Sequence, residues 1–351
     1  MPNLAMLLSS QRPAALFTAC VFFLAPRALA QQSVQSAPDI RIRVDRVNVG
    51  VVVTDSRGQF IGGLHREDFH LFDNGFEQPI TDFLNVDEPA EVLLLIEAGP
   101  AVYLLEGSHL EAVHALLDGL SPSDRVAIAR YDATPEPILD FTPDKPSAAA
   151  ALDRLHFNLG FGQLNLASSL ATALDWLVHL PGKKSLVLLS TGVDTSPPAA
   201  TQDLLVHFES SDVRVLAVSL GGELRGAGPV EKKHSKRDPP PSERTQAAAE
   251  AFAEADRELK TIAEATGGRA YFPRTRKDYA AIFAQIAELV RHEYNLGFVP
   301  PAHDAKVHSI EVRVTSSPAA NSPSFASNAP PTQSYRVDHR QAYLAPRAEQ
   351  P

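Results

Sequence analysis

The sequence predicts an α/β protein, a doubly wound and mostly parallel sheet inserted in a small composite β domain. Three observations carry that reading. Residues 92–96 form an unbroken apolar run (VLLLI), as strands covered on both faces do, and residues 185–189 and 213–220 repeat the buried-strand pattern. Stretches with helical spacing separate these runs, which is the alternation of a parallel sheet. The segments before residue 90 and after residue 293 instead alternate apolar and polar residues with period two, the pattern of half-buried strands.

The chain has 351 residues, enough for two domains with cores of their own. Residues 1–30 read as a signal peptide: Arg12 precedes an apolar stretch at 14–25, and Ala28-Leu29-Ala30 before two glutamines fits a cleavage site. The stretch is short for a membrane span, which needs roughly 20 apolar residues, so the mature chain is expected to carry none; an uncleaved anchor is the alternative. Cys20, the one cysteine, lies inside this segment, so stability is expected to come from a hydrophobic core without disulfides. Without Arg12 and Arg27 the formal charge goes from -10 to -12, which gives no general attraction to nucleic acid.

Residues 39–88 are expected to form an N-terminal β unit. Ile40, Ile42 and Val44, then Val47, Val49, Val51 and Val53, alternate with a phase shift near Asp45-Arg46. Ser56-Arg57-Gly58-Gln59 is expected to turn the strand, with a second short strand beginning near Phe60, and the pair Asn74-Gly75 between apolar runs signals a hairpin. The α/β domain is placed at 90–293. Helices are expected at 106–120, 146–155, 166–180 and 201–208, a strand at 125–131, and a proline-bearing edge strand at 135–141. Residues 221–243, with glycines, a basic cluster and three prolines, read as a mobile loop. A helix then stops at the glycine cap Gly267-Gly268 and is followed by a short strand at 270–272 and a last helix. Strands at 294–299, 309–315 and 334–343, interrupted by a flexible excursion at 316–332, form a C-terminal β segment (294–346) expected to pair with the N-terminal unit.

Catalytic motifs are sparse. Histidine pairs 65/70, 109/114 and 303/308 are five apart and miss the i, i+4 spacing of a zinc hydrolase. There is no G-x-S-x-G elbow. The glycines at 160, 162, 221 and 222 lack phosphate-loop spacing, although Gly162-Gln163 before a helix has the makings of an anion cup. Trp176 reads as core or domain contact. Glu97, at the end of the first apolar strand, reads either as a polar strand end facing solvent or as a partner contact.

Several stretches in order resemble the von Willebrand factor type A (VWA)-related proteins abundant in Acidobacteria. They are VVVTDSRG at 51–58, Gly63-Leu64 with Glu67-Asp68-Phe69 and Asp73-Asn74-Gly75, VLLS at 187–190 with Gly192-Val193-Asp194-Thr195, YNLGF at 294–298 with Pro300, and AYLAP at 342–346. The resemblance covers about residues 39–346. It implies a VWA-like fold with a metal-ion-dependent adhesion site at the top of the sheet, where an Asp-x-Ser-x-Ser motif, a threonine and a later aspartate hold Mg²⁺ for a partner's carboxylate. This chain departs from that pattern at each place. Glu97 stands for the aspartate, Gly99 and Ala101 for the serines, Leu164 for the threonine and Thr191 for the later aspartate.

The sequence is therefore read as a secreted or periplasmic, non-enzymatic protein-interaction module of adhesion type. Its metal site is degenerate, no cofactor is expected, and its partner is an unknown protein in the cell envelope or outside it. Two rivals stand beside this reading: a VWA domain that keeps Mg²⁺ through substituted ligands, and an exported hydrolase using Ser190, Asp194 and a histidine.

Overall fold

The computed structural model describes residues 46–103, 105, 107–157, 162–196, 198–226, 243–315 and 335–347. The signal peptide with Cys20, the strand residues before 46, most of the loop at 221–243 and the excursion at 316–332 lie outside the described residues. Those described belong to one compact unit.

The central sheet has six strands: β5 (Ala90–Glu97), β6 (Arg125–Tyr131), β7 (Pro135–Thr142), β8 (Lys183–Ser190), β9 (Arg214–Ser219) and β10 (Arg269–Tyr271), in the order β10-β9-β8-β5-β6-β7. All pair in parallel except the edge strand β7, which runs antiparallel to β6 with register shifts. Pro135 and Pro137 are tolerated there because an edge strand leaves one side of its backbone unpaired. Counted in chain order, the strands run 3-2-1-4-5-6 across the sheet, the doubly wound arrangement.

Alternation along each strand divides the core into two layers. Val92, Leu94 and Ile96 of β5 face α2 (Ser108–Gly119), α3 (Lys145–Leu152) and α8 (Arg276–Arg291), against Leu116, Ala151, Phe283 and Ile286. Leu93 and Leu95 face the other way, against Leu170 and Leu174 of α4 (Leu166–Val178), Phe208 of α5 (Pro198–Ser210) and Leu259 of α7 (Glu243–Ala265). Every residue of β5 is buried, because helices cover both faces. Trp176 is half-buried against the second layer.

Two four-stranded sheets lie beside this core. One has the order β13-β1-β11-β4, from β1 (Val47–Thr54), β4 (Asp82–Leu84), β11 (Glu293–Phe298) and β13 (Arg336–His339). The other has the order β14-β12-β2-β3, from β2 (Phe69–Asp73), β3 (Phe76–Gln78), β12 (Val307–Val314) and β14 (Ala342–Leu344). Val49, Val51, Leu71, Tyr294, Leu296, Phe298, Val312 and Tyr343 fill one core between them, making a sandwich. The hairpin β2–β3 turns at Asn74 and Gly75, both with positive φ (47° and 82°). β1 pairs antiparallel with both β11 and β13.

Three local expectations change. The single strand expected at 334–343 is two strands, β13 and β14, which pair in different sheets, so the chain crosses the sandwich at Arg340-Gln341. Gly221–Gly226, expected to begin a loop, forms the short helix α6. Phe60 makes an isolated bridge with Thr54 and not a second strand.

Candidate functional site

The C-terminal ends of β5 and β8 meet where the strand order reverses, the place at which open α/β sheets collect functional groups. The register puts Ile96 beside Leu189 and Glu97 beside Tyr131, so β5, β6 and β8 each deliver a polar residue to one spot. Glu97, Tyr131, Ser190 and Thr191 are all essentially inaccessible, at 0–1% exposure. This corrects both sequence readings of Glu97. It neither faces solvent nor can touch a partner, because the helical layers and the following loops close over it.

The carboxylate of Glu97 takes its hydrogen bonds from this chain's own donors. The Thr191 N–H donates to Oε2 at 2.7 Å, and the Thr191 hydroxyl reaches Oε2 at 2.8 Å and Oε1 at 3.0 Å. The Ser190 hydroxyl donates to Oε2 at 3.1 Å, and the Tyr131 hydroxyl lies 3.3 Å from the same oxygen and 2.7 Å from Ser190 Oγ. The Gly192 N–H in turn donates to Ser190 Oγ at 2.8 Å. Burial pushes the Glu97 carboxyl up from its ordinary value, opposed by the Thr191, Ser190 and Tyr131 hydrogen bonds. Burial and the neighbouring Glu97 charge push the Tyr131 phenol well above its usual range. No cation makes an ion pair with Glu97 among the described residues, so hydroxyls and one N–H carry the whole compensation.

Above the carboxylate the site is apolar. A side chain added at Gly99 would lie 2.8 Å from Leu164 Cδ2 and 3.4 Å from Glu97 Oε1, so Leu164 lies directly over the glycine. Leu164 is pinned by its backbone: the Thr195 N–H and hydroxyl donate to its carbonyl at 2.8 and 2.9 Å, and its own N–H donates to Thr195 Oγ1 at 3.0 Å. Ala101 sits on α1 (Pro100–Tyr103), the short helix after Gly99. Asp194 is spent on local structure, accepting from the Ala167 N–H at 2.9 Å and the Ser196 N–H at 2.7 Å.

The structure thus gathers Glu97, Gly99, Leu164 and Thr191 at one place, with Ala101 on the adjoining helix. It adds Tyr131 and Ser190, which the sequence reading did not assign to Glu97. A signal for them existed, since three neighbouring parallel strands each end in a residue with a side-chain oxygen. As a donor set this does not fit Mg²⁺, which wants near-octahedral oxygen ligands. Both Glu97 oxygens face protein donors, Gly99 and Ala101 carry no side-chain oxygen, and Leu164 presents methyl groups. Among the described residues no cluster of three or more His, Cys, Asp or Glu side chains is placed to hold a metal ion.

No family model matches this chain, and no curated protein matches it. Among solved structures it is similar to a von Willebrand factor type A protein from Catenulispora acidiphila, at 14% identity over 72% of this chain and 70% of that one, with a TM-score of 0.44. It is also similar to an aerotolerance-related membrane protein from Bacteroides fragilis bearing multiple mutations to serine (14% identity, 57% of this chain, 98% of that one, TM-score 0.38). A third is the conserved hypothetical protein BatB from Bacteroides thetaiotaomicron (16% identity, 57% and 99%, TM-score 0.37). At such scores the strand order of the six-stranded sheet, and not these likenesses, defines the architecture. No described helix is long and apolar enough to cross a membrane.

Proposed function

We propose that this chain is an exported, non-enzymatic protein-interaction module of adhesion type whose crest does without a metal ion. One observation carries the reading. The carboxylate that would anchor a metal is enclosed and hydrogen-bonded by Thr191, Ser190 and Tyr131, beneath a leucine fixed over Gly99. A partner's acidic group would find no open coordination position there. Binding would use the crest loops or the free edges of the sandwich, and the partner would be a protein of the envelope or the exterior. Export rests on the N-terminal segment alone, and the kinship to acidobacterial proteins on the sequence resemblance.

The hydrolase alternative draws no support from Ser190. Its hydroxyl is buried and bonded to Glu97, Tyr131 and Gly192, and among the described residues no histidine hydrogen-bonds to it. A nucleophile needs a base within hydrogen-bond reach and an approach for substrate.

Calorimetric titration of the full chain with Mg²⁺ and with Mn²⁺ tests the proposal. The expected result is no saturable heat and no change in Tm at millimolar ion. Saturable binding that raises Tm and disappears in Glu97→Gln would overturn it in favour of a retained metal.

A further inference from the structure

Arg340 occupies the corner at which the chain passes from β13 to β14. It is 5% exposed. Nη1 donates to the carbonyl of Ser211, just beyond the end of α5, where a cation complements the helix dipole. Nε is buried with no acceptor, and among the described residues no carboxylate makes an ion pair with the guanidinium. A guanidinium has five N–H donors; here one is used. Burial draws its pKa down to about 10, the mark of a charge left without a close partner.

The neighbouring charges are engaged elsewhere or lie beyond ion-pair distance. Asp212 is committed to Lys184 Nζ at 2.6 Å and to Asn48 Nδ2 at 3.0 Å. Arg46 is paired with Asp82 at 2.8 Å. Beside Arg340 is a cavity of about 250 Å³ walled by the cations Arg46, Lys184 and Arg340, the carboxylates Glu209 and Asp212, and Asn48. Of the three cations only Arg340 makes no ion pair among the described residues. That space holds a compact oxyanion with several waters, a water occupying about 30 Å³.

We propose that this cavity is a binding site for one compact oxyanion, a carboxylate or phosphate group, held by the Arg340 guanidinium with the Lys184 ammonium beside it. The site lies at the opposite end of the sheet from Glu97 and is independent of the function proposed above. Its two cations come from different layers, Arg340 from the sandwich and Lys184 from β8. An anion bound there would tie the two layers together.

The test uses the full chain in Tris chloride at constant ionic strength, titrated with sodium phosphate and separately with sodium acetate. Saturable heat with a Tm rise of about 3 °C at ten times Kd is expected from at least one of them. Phosphate alone identifies a phosphate group, and acetate alone a carboxylate. Asp212→Asn removes the competing carboxylate and should tighten binding about tenfold, whereas Arg340→Lys, losing the forked donors, should weaken it about tenfold. Should Arg340→Lys fail to fold, protection of Arg340 from phenylglyoxal by the same anions replaces it. Heats equal to a chloride control for both anions, with no gain in Asp212→Asn, would overturn the proposal.

Discussion

The two ends of the six-stranded sheet treat buried charge in opposite ways. At the crest one carboxylate, Glu97, lies among hydroxyls and makes no ion pair with a cation among the described residues. At the foot, where β1 and β11 of the sandwich pack against the strand N-termini, carboxylates meet cations directly. Arg214 lies 3.0 Å from Glu293, both nearly inaccessible, and Lys184 lies 2.6 Å from Asp212. Gly50 on β1 makes room for the first pair, since a side chain there would come within 2.0 Å of Glu293 Oε1. Hydroxyls stabilise either protonation state of a carboxyl by rotating, whereas an ion pair demands charge on both partners. The crest therefore tolerates a neutral Glu97, and the foot needs its charges.

The largest expected effect breaks the foot. Glu293→Ala strands Arg214 in the interior and should cost about 3–5 kcal/mol, read from the urea midpoint. Replacing both partners, Arg214→Met with Glu293→Leu, should cost less than the single change. If the double variant is the worse of the two, the pair contributes more than it costs in desolvation, and the contrast with the crest is sharper still.

At the crest the same measurement should give less. Thr191→Val leaves Glu97 with one N–H and two hydroxyls and should cost about 1–3 kcal/mol. A loss as large as that of Glu293→Ala would mean that Glu97 is ionised and relies on Thr191 as an ion relies on its counter-ion.

The smallest effect at neutral pH concerns His109 on α2, which has neither kind of help. Both ring nitrogens are buried without a partner, and the ring lies edge-on to Phe157 at 6.1 Å. His109→Phe should change stability at pH 7 by no more than about 1 kcal/mol. Burial pulls the His109 pKa down to about 4 from 6.5. The unfolded chain then binds the proton first, so stability is whole above pH 6.5 and is lost as pH falls toward 4, by on the order of 3 kcal/mol. Glu97, raised instead of depressed, has the opposite sign: stability is given up as pH rises from 4.5 through its folded value. Melting curves from pH 7 to 4 should therefore fall less steeply for His109→Phe than for the wild type. Parallel curves would refute the assignment.

The fold class was legible because burial on both faces leaves a mark in one dimension. Val92 to Ile96 has no polar break, and only a strand between two helical layers permits that. The crossing at Arg340-Gln341 was not legible, since alternation continues through it without glycine or proline and the change of sheet is made by pairing partners far away in sequence. Glu97 misled for a related reason. A polar residue ending an apolar run looks like the edge of the interior when its compensating hydroxyls come from Tyr131 and Thr191, 34 and 94 residues away. Glycine and alanine at 99 and 101 could be seen to lack oxygen, but the leucine lying over them is a matter of loop geometry that Thr195 sets.

The connections between layers have a mechanical consequence. β4 ends at Leu84 and β5 starts at Ala90, while α8 ends at Arg291 and β11 starts at Glu293, and β4 and β11 are hydrogen-bonded neighbours. The six-stranded sheet with its helices thus enters and leaves the chain through one narrow gate. Tension applied at β1 and β14 would be borne by the sandwich, leaving the sheet slack until β4 and β11 part.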